Sequence, residues 1–111
     1  MAAGESNGAL DEEAAYMISF CVRLKFAPED RDEVTEILRN LTEASRREPG
    51  CVTFIPHRVE GDPDAVVIYE QYKDTAAEAV HRSSAHFKQF AVGGLYQKML
   101  DRRREDLDAL A

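Results

Sequence analysis

Residues 69–90 read YEQYKDTAAEAVHRSSAHFKQF, and the rest of the chain can be placed around this stretch. It begins inside a predicted strand, residues 65–73, whose Val-Val-Ile-Tyr run is apolar on both faces, as expected of a central strand. A helix follows, capped by Asp74 or Thr75, and Thr75 and Glu78 have the spacing of a capping box. The stretch thus predicts a central strand that is followed directly by a helix.

Two of the three histidines of the chain lie in this stretch, His81 on the predicted helix and His86 just beyond it. Ser83-Ser84 weakens the helix between them and favours a new turn that opens at Ala85. Because histidine changes charge near neutral pH, we expect any chemistry of the protein here. The third histidine, His57, lies in a predicted edge strand and is expected to be solvated.

The remaining elements follow from hydrophobic periodicity and from breaker residues. The pattern predicts a strand over residues 16–26, an amphipathic helix over 28–47, a strand over 51–59 and a turn over 60–64. Pro49-Gly50 ends the long helix, and Pro56, which lacks a ladder donor, predicts a sheet edge or a bulge. We expect Gly93-Gly94 to break the second helical segment, with a short helix to about Met99 and a strand over 101–107 beyond it.

The order β-α-β-β-α-β predicts an α+β, ferredoxin-like fold, an antiparallel sheet with both helices on one face. In this topology the first and second strands flank the third, so Cys21 and Cys51 lie about two strand spacings apart, roughly 10 Å. That distance is too long for a disulfide, which predicts free thiols. The other sheet face still carries apolar side chains, and a second subunit is its simplest cover, so we expect a homodimer.

The composition is that of a single soluble domain, with 111 residues, 44% apolar and 32% charged. A net charge of −7 argues against binding to nucleic acid. The run Arg102-Arg103-Arg104 is followed by Glu105 and Asp106, and we expect a solvated surface there whose charges compensate one another.

No apolar run approaches the about 18 residues that would span a membrane. Residues 1–15 lack the pattern of a signal peptide and predict a disordered leader before one domain over 16–111, which together with the thiols favours the cytoplasm.

Three segments occur in the order and roughly the spacing of a known family: 46–51 (RREPGC), 68–74 (IYEQYKD) and 81–87 (HRSSAHF). On this pattern the chain resembles the antibiotic biosynthesis monooxygenase domain, a group of dimeric ferredoxin-like α+β barrels, over about residues 17–110. The resemblance implies a homodimeric oxygenase without metal or flavin, because the substrate itself reduces O2. The chain has no tryptophan, so the Trp-containing sites that oxidise polyketide phenols or degrade haem cannot be assembled. The quinol-oxidising or small-metabolite branch remains.

The residues expected to carry this chemistry lie on the central strand and the following helix. His81 would take a proton from the substrate, or it would only hydrogen-bond a carbonyl at the end of its helix. His86 is a second pocket donor or a brace for Glu70, and Glu70, a carboxylate on an apolar strand face, orients a histidine or bonds the following loop. Tyr72 and Phe87 are candidate walls of a substrate pocket or ordinary core residues.

The same pattern gives two further candidate roles. Arg23 would anchor an anionic substrate or form an ion pair at a dimer interface. His81, His86 and Glu70 are the residue types of a two-histidine, one-carboxylate metal site. Residues five apart on a continuous helix point about 140° apart, so only a break at Ser83-Ser84 would let the histidines converge. We therefore predict no metal.

Three functions remain compatible with these residues. The first is a cofactor-independent monooxygenase that oxidises a quinol or polycyclic phenol with O2. The second is an isomerase or lyase for a small metabolite, in which the same histidine and carboxylate move protons without O2. The third is a non-catalytic dimeric module that binds a small molecule and loses no turnover when His81 is replaced.

Overall fold

A computed structural model describes residues 17–111; the expected leader, residues 1–15, lies outside the described part. The elements are β1 (Ile18–Lys25), α1 (Arg31–Arg46), β2 (Cys51–Val59), β3 (Asp62–Tyr72), α2 (Thr75–Ser83), a π-helical segment (Phe87–Leu95) and β4 (Asp101–Leu107). A 3-10 turn, Pro28–Asp30, precedes α1, and one α-helical turn, Tyr96–Lys98, follows the π-helical segment. The predicted α+β, ferredoxin-like order is confirmed, including the last strand.

The four strands form one antiparallel sheet in the order β2-β3-β1-β4. β3 is therefore central, as its two apolar faces predict, and β2 lies at the edge, as Pro56 predicts. Irregular register falls between Cys51 and Thr53 and between Arg58 and Val59, not at Pro56. Cys21 and Cys51 are free thiols.

The turn before β3 is shorter than the predicted 60–64. Val59 pairs with Asp62, so only Glu60 and Gly61 form the turn, and Gly61 has the positive φ of 83° that such a tight hairpin requires. The sequence pattern predicts Asp62 and Asp64 in the turn, but both lie in β3 and form ion pairs. The Lys25 ammonium lies 2.7 Å from the Asp62 carboxylate.

The hydrophobic core lies between one sheet face and the helices. Its largest buried residues are Phe20, Leu24, Phe26, Leu38, Leu41, Phe54, Ile68, Tyr72 and Leu95. The predicted break at Gly93-Gly94 is wrong, because the helical path continues to Lys98. A Cβ atom on Gly94 would lie 3.2 Å from Cγ2 of Ile37, so this glycine serves the close approach to α1 rather than a chain break.

The α2 helix buries polar side chains and exposes an apolar one. Its buried residues are Glu78 and His81, whereas Val80 is 58% exposed. The predicted capping box is wrong: the Asp74 carboxylate caps the helix by accepting a 2.7 Å bond from the amide of Ala77, and Glu78 turns inward. A helix that places its polar side against the core indicates a site there.

None of the helices within residues 17–111 has the length and apolar character needed to cross a membrane.

Candidate active site

A cavity of about 610 Å³ lies between the sheet and the helices. Its walls are mainly apolar and include Phe20, Leu24, Phe54, Ile68, Phe87 and Leu95. The polar side chains that reach it are Glu70, Glu78, His81, Arg82, Arg102 and Arg104. A largely apolar cavity of this size with few polar groups is typical of a site for a small organic molecule.

His81 is the most enclosed polar residue of this cavity, with 2% of its surface exposed. Because the Asp74 cap starts α2 directly after β3, His81 comes to lie two turns later above the sheet. Its ring packs among aromatic neighbours, with centroid distances of 5.1 Å to Tyr72, 5.2 Å to Phe87 and 5.8 Å to Phe54. This packing holds the imidazole in one position.

Glu48, to which the sequence pattern assigns no role, is the partner of both histidines. Its Oε2 accepts a hydrogen bond from His81 Nδ1 at 2.7 Å and another from His86 Nε2 at 2.5 Å. The Glu-Pro-Gly turn can reach α2 because Gly50 has no side chain: a Cβ atom there would lie 2.4 Å from the Cβ of Ala77. The motif that carries the family resemblance thus places a carboxylate behind the histidine.

The bond to Glu48 decides which nitrogen of His81 carries the proton. A carboxylate only accepts, so Nδ1 of His81 donates, and Nε2 is left as an acceptor in the neutral ring. Burial lowers the pKa of His81, against the opposing effect of the Glu48 carboxylate. The neutral ring is therefore the form present near pH 7, which suits a general base.

Glu70 faces the same cavity from β3. Burial raises its pKa to about 7, although the Tyr72 hydroxyl, which donates a 2.7 Å bond to Oε1, opposes the rise. Its Oε1 lies 3.8 Å from Nε2 of His81, too far for a hydrogen bond, and both groups face the same cavity. The predicted brace between His86 and Glu70 is wrong, since His86 braces Glu48.

The two histidines converge because the chain leaves the helix at Ser84. The Ser84 hydroxyl donates to the His81 carbonyl at 2.6 Å and accepts from the Phe87 amide at 3.1 Å, which opens the new turn as predicted.

As a result, the possible metal-ligand atoms of Glu48, His81 and His86 lie within 4.8 Å of one another. This trio, rather than a set with Glu70, would hold a metal if one bound. Hydrogen bonds from both rings to one oxygen already account for the arrangement, and absence of a metal stays a prediction.

The other predicted site residues are divided between the cavity and its surroundings. Phe87 lines the cavity. Tyr72 is fully buried and contacts Glu70 from behind rather than forming the wall. Arg23 lies on the opposite sheet face, 3.6 Å from the Asp62 carboxylate, and is not brought together with His81. His57 is exposed, as predicted.

Strand β4 supplies residues to the cavity, although its basic run predicts a solvated surface. Arg104 is only partly exposed, and its guanidinium carbon lies 3.8 Å from the ring centroid of Phe20. It donates to Glu78 at 2.9 Å and to Asp106 at 2.9 Å, so only part of its compensation comes from the acidic residues that follow it in sequence. The strand period places alternate arginines on the cavity face, a signal already present in the sequence.

Comparisons with known proteins agree with this fold and cavity. The family model for antibiotic biosynthesis monooxygenases matches residues 17–92. YcnE of Bacillus subtilis, described as a candidate monooxygenase, is 32% identical over 78 residues, which cover 70% of this chain and 82% of YcnE.

An isomerase of Klebsiella pneumoniae named for (4S)-4-hydroxy-5-phosphonooxypentane-2,3-dione is 36% identical over 69 residues, covering 60% of this chain and 67% of that protein. A crystal structure of a candidate antibiotic biosynthesis monooxygenase from Bacteroides thetaiotaomicron superposes with a TM-score of 0.82 at 27% identity, over 88% of this chain and 93% of the other. The family model spans most of the sheet, both helices and the Glu48–His81 pair, and the chain belongs to the antibiotic biosynthesis monooxygenase family.

Proposed function

We propose that the protein is a cofactor-independent monooxygenase that oxidises a quinol or polycyclic phenol with O2 in the His81 cavity. The observation that carries this proposal is the buried, neutral His81, held at Nδ1 by Glu48 and open at Nε2 to an apolar cavity. Family membership and the likeness to YcnE, described as a candidate monooxygenase, support it. The isomerase relative shows that the family fold is not restricted to oxygenation.

In this mechanism the protein supplies a base and a dry pocket, while the substrate supplies the electrons. His81 Nε2 takes the proton of a ring hydroxyl, and the electron-rich anion passes one electron to O2. The substrate radical and superoxide then combine on the ring carbon. One oxygen atom stays on the ring and the other leaves as water, so a naphthoquinol and O2 yield a hydroxynaphthoquinone and water.

A homodimer forms part of the proposal because the outer sheet face carries a row of partly exposed apolar residues. Cys21, Tyr69 and Ile55 are register partners across β1, β3 and β2, and Ile55 is 41% exposed. A second subunit would cover this row. A cytoplasmic location stays a prediction, favoured by the two free thiols.

Oxygen uptake by the purified protein tests the proposed function. With a panel of reduced naphthoquinones and benzoquinones we expect uptake above the autoxidation rate for at least one compound. The His57→Asn variant, changed at an exposed histidine outside the cavity, is expected to retain this rate. Uptake that never exceeds autoxidation across the panel would contradict the monooxygenase assignment.

Isomerisation of a small metabolite is the second candidate function. His81 and Glu70 face the same cavity 3.8 Å apart, and two such groups can take a proton from one carbon and return it to the next. The same residues would then turn over substrate without O2. Turnover under anaerobic conditions separates the two functions, and a ligand that binds but is never converted would indicate a binding module.

A further inference from the structure

The cavity has an asymmetric charge distribution that the proposed chemistry does not use. Three arginines reach it, Arg82 from α2 and Arg102 and Arg104 from β4. The carboxyl groups that reach it are Glu70 and Glu78. The whole chain carries a net charge of −7, so three arginines at one mainly apolar cavity run against the overall charge.

Ion pairs within the fold neutralise part of this cluster. Oε2 of Glu78 accepts from Nη2 of Arg82 at 2.6 Å and from Nη1 of Arg104 at 2.9 Å. Burial opposes ionisation of Glu78, but the two guanidinium bonds outweigh it and lower its pKa, so this carboxylate stays charged. Asp106 completes the pairing of Arg104 at 2.9 Å.

Arg102 is the arginine of this group whose charge is not neutralised by an ion pair within residues 17–111. Its guanidinium carbon lies 5.7 Å from the ring centroid of Tyr96, which holds the cation at the mouth of the cavity. Glu70, the other carboxyl of the cavity, is deeper and its pKa of about 7 leaves it only partly charged near neutral pH.

We propose that the substrate carries an anionic group, a carboxylate, sulfonate or phosphate, which binds Arg102 while its ring lies in the cavity against His81. A guanidinium offers paired donors that fit these oxyanions, and Tyr96 positions it for a ligand that enters from solvent. The inference rests on the proposed function, since it takes an aromatic ring in the His81 cavity as its premise.

Binding of an isosteric ligand pair tests this inference without any turnover. 2-Naphthoate and 2-naphthamide differ by one negative charge, and neither reacts with O2 under assay conditions. By calorimetry at low salt we expect 2-naphthoate to bind about tenfold more tightly than 2-naphthamide. The ratio of the two Kd values should fall as salt is added.

Two variants of neighbouring residues locate the effect. Arg102→Gln should bring the ratio of the two Kd values close to one. Arg103→Gln should retain it, because Arg103 lies on the outer sheet face, opposite Arg23 in the strand register. Arg102 lies opposite the core residue Leu24, on the cavity side. Both variants change the net charge by the same amount, so a general electrostatic effect would appear in both. A ratio near one in the unmodified protein, an unchanged ratio in Arg102→Gln, or no binding of either ligand would overturn the inference.

The oxygen assay keeps this result separate from the proposed function. If no quinol supports oxygen uptake but the Kd ratio depends on Arg102, the monooxygenase assignment fails and the anion site stands. If quinols support oxygen uptake but the ratio is near one, the anion site fails and the monooxygenase assignment stands.

Discussion

Replacing His81 by asparagine is expected to lower kcat for quinol-dependent oxygen uptake by about 10²–10⁴-fold, the usual contribution of a positioned general base. The asparagine amide can still donate to Glu48, but it offers no group that accepts a proton near pH 7. The effect should fall on kcat more than on KM, because the apolar walls that bind the ring remain. Steady-state oxygen uptake at saturating quinol measures it.

The control for this experiment is His57→Asn, the same change at an exposed position of β2. A melting temperature for each variant shows whether loss of rate reflects loss of fold. A folded His81→Asn protein that keeps more than a tenth of the rate would place the base elsewhere. Glu70 would then be the next group to examine, since it faces the same cavity.

Replacing Glu70 by glutamine is expected to stabilise the protein at pH 8 by about 3 kcal/mol. Folding raises the pKa of this carboxyl from 4.5 to about 7, so between these values the folded state binds the proton that the unfolded state has released. Stability is therefore lost as the pH rises through this window, by about 1.4 kcal/mol for each pKa unit. Glutamine carries no charge at any pH and still accepts the Tyr72 hydroxyl.

Urea unfolding between pH 5 and pH 8 measures this effect. The difference in unfolding free energy between Glu70→Gln and the unmodified protein should grow with pH up to about pH 7 and then level off. His81 acts in the opposite direction, because its lowered pKa costs stability as the pH falls; at pH 7 and above it is neutral in both proteins, so the comparison there reports Glu70. Glu105→Gln, at an exposed carboxyl of β4, is the control. A Glu70→Gln difference that stays flat with pH would show that burial does not raise this pKa.

The fold was accessible from sequence because each element carries its own local signal. Alternation marks β1, the three- and four-residue repeat marks α1, and the completed β-α-β-β-α-β order supports β4 over 101–107 despite its helix-forming residues. Packing decided what local patterns could not. Gly94 reads as a breaker, yet it is required by the approach of Ile37, a residue more than 50 positions earlier.

Only part of the candidate site could be predicted from the sequence, because some of its residues are brought together by packing and carry no local signal. His81 and Glu70 stand out as polar residues in apolar surroundings, and both reach the cavity. Glu48 comes from a loop more than 30 residues before His81, and nothing local marks it as the partner of the two histidines. Arg102 belongs to a basic run that predicts a solvated surface. Strand alternation puts Arg102 and Arg104 on one face, but the register with β1 is needed to identify that face as the cavity side.

The tautomer of His81 decides whether this residue can act as the base, because the proposed base must present an unprotonated Nε2 to the cavity. Long-range ¹H–¹⁵N correlation spectra resolve the ring nitrogens, and with three histidines in the chain the His57→Asn variant helps to assign them. At pH 7 we predict a neutral His81 with its proton on Nδ1, and a loss of that preference in Glu48→Gln. A proton on Nε2, or a doubly protonated ring at pH 7, would exclude His81 as the base.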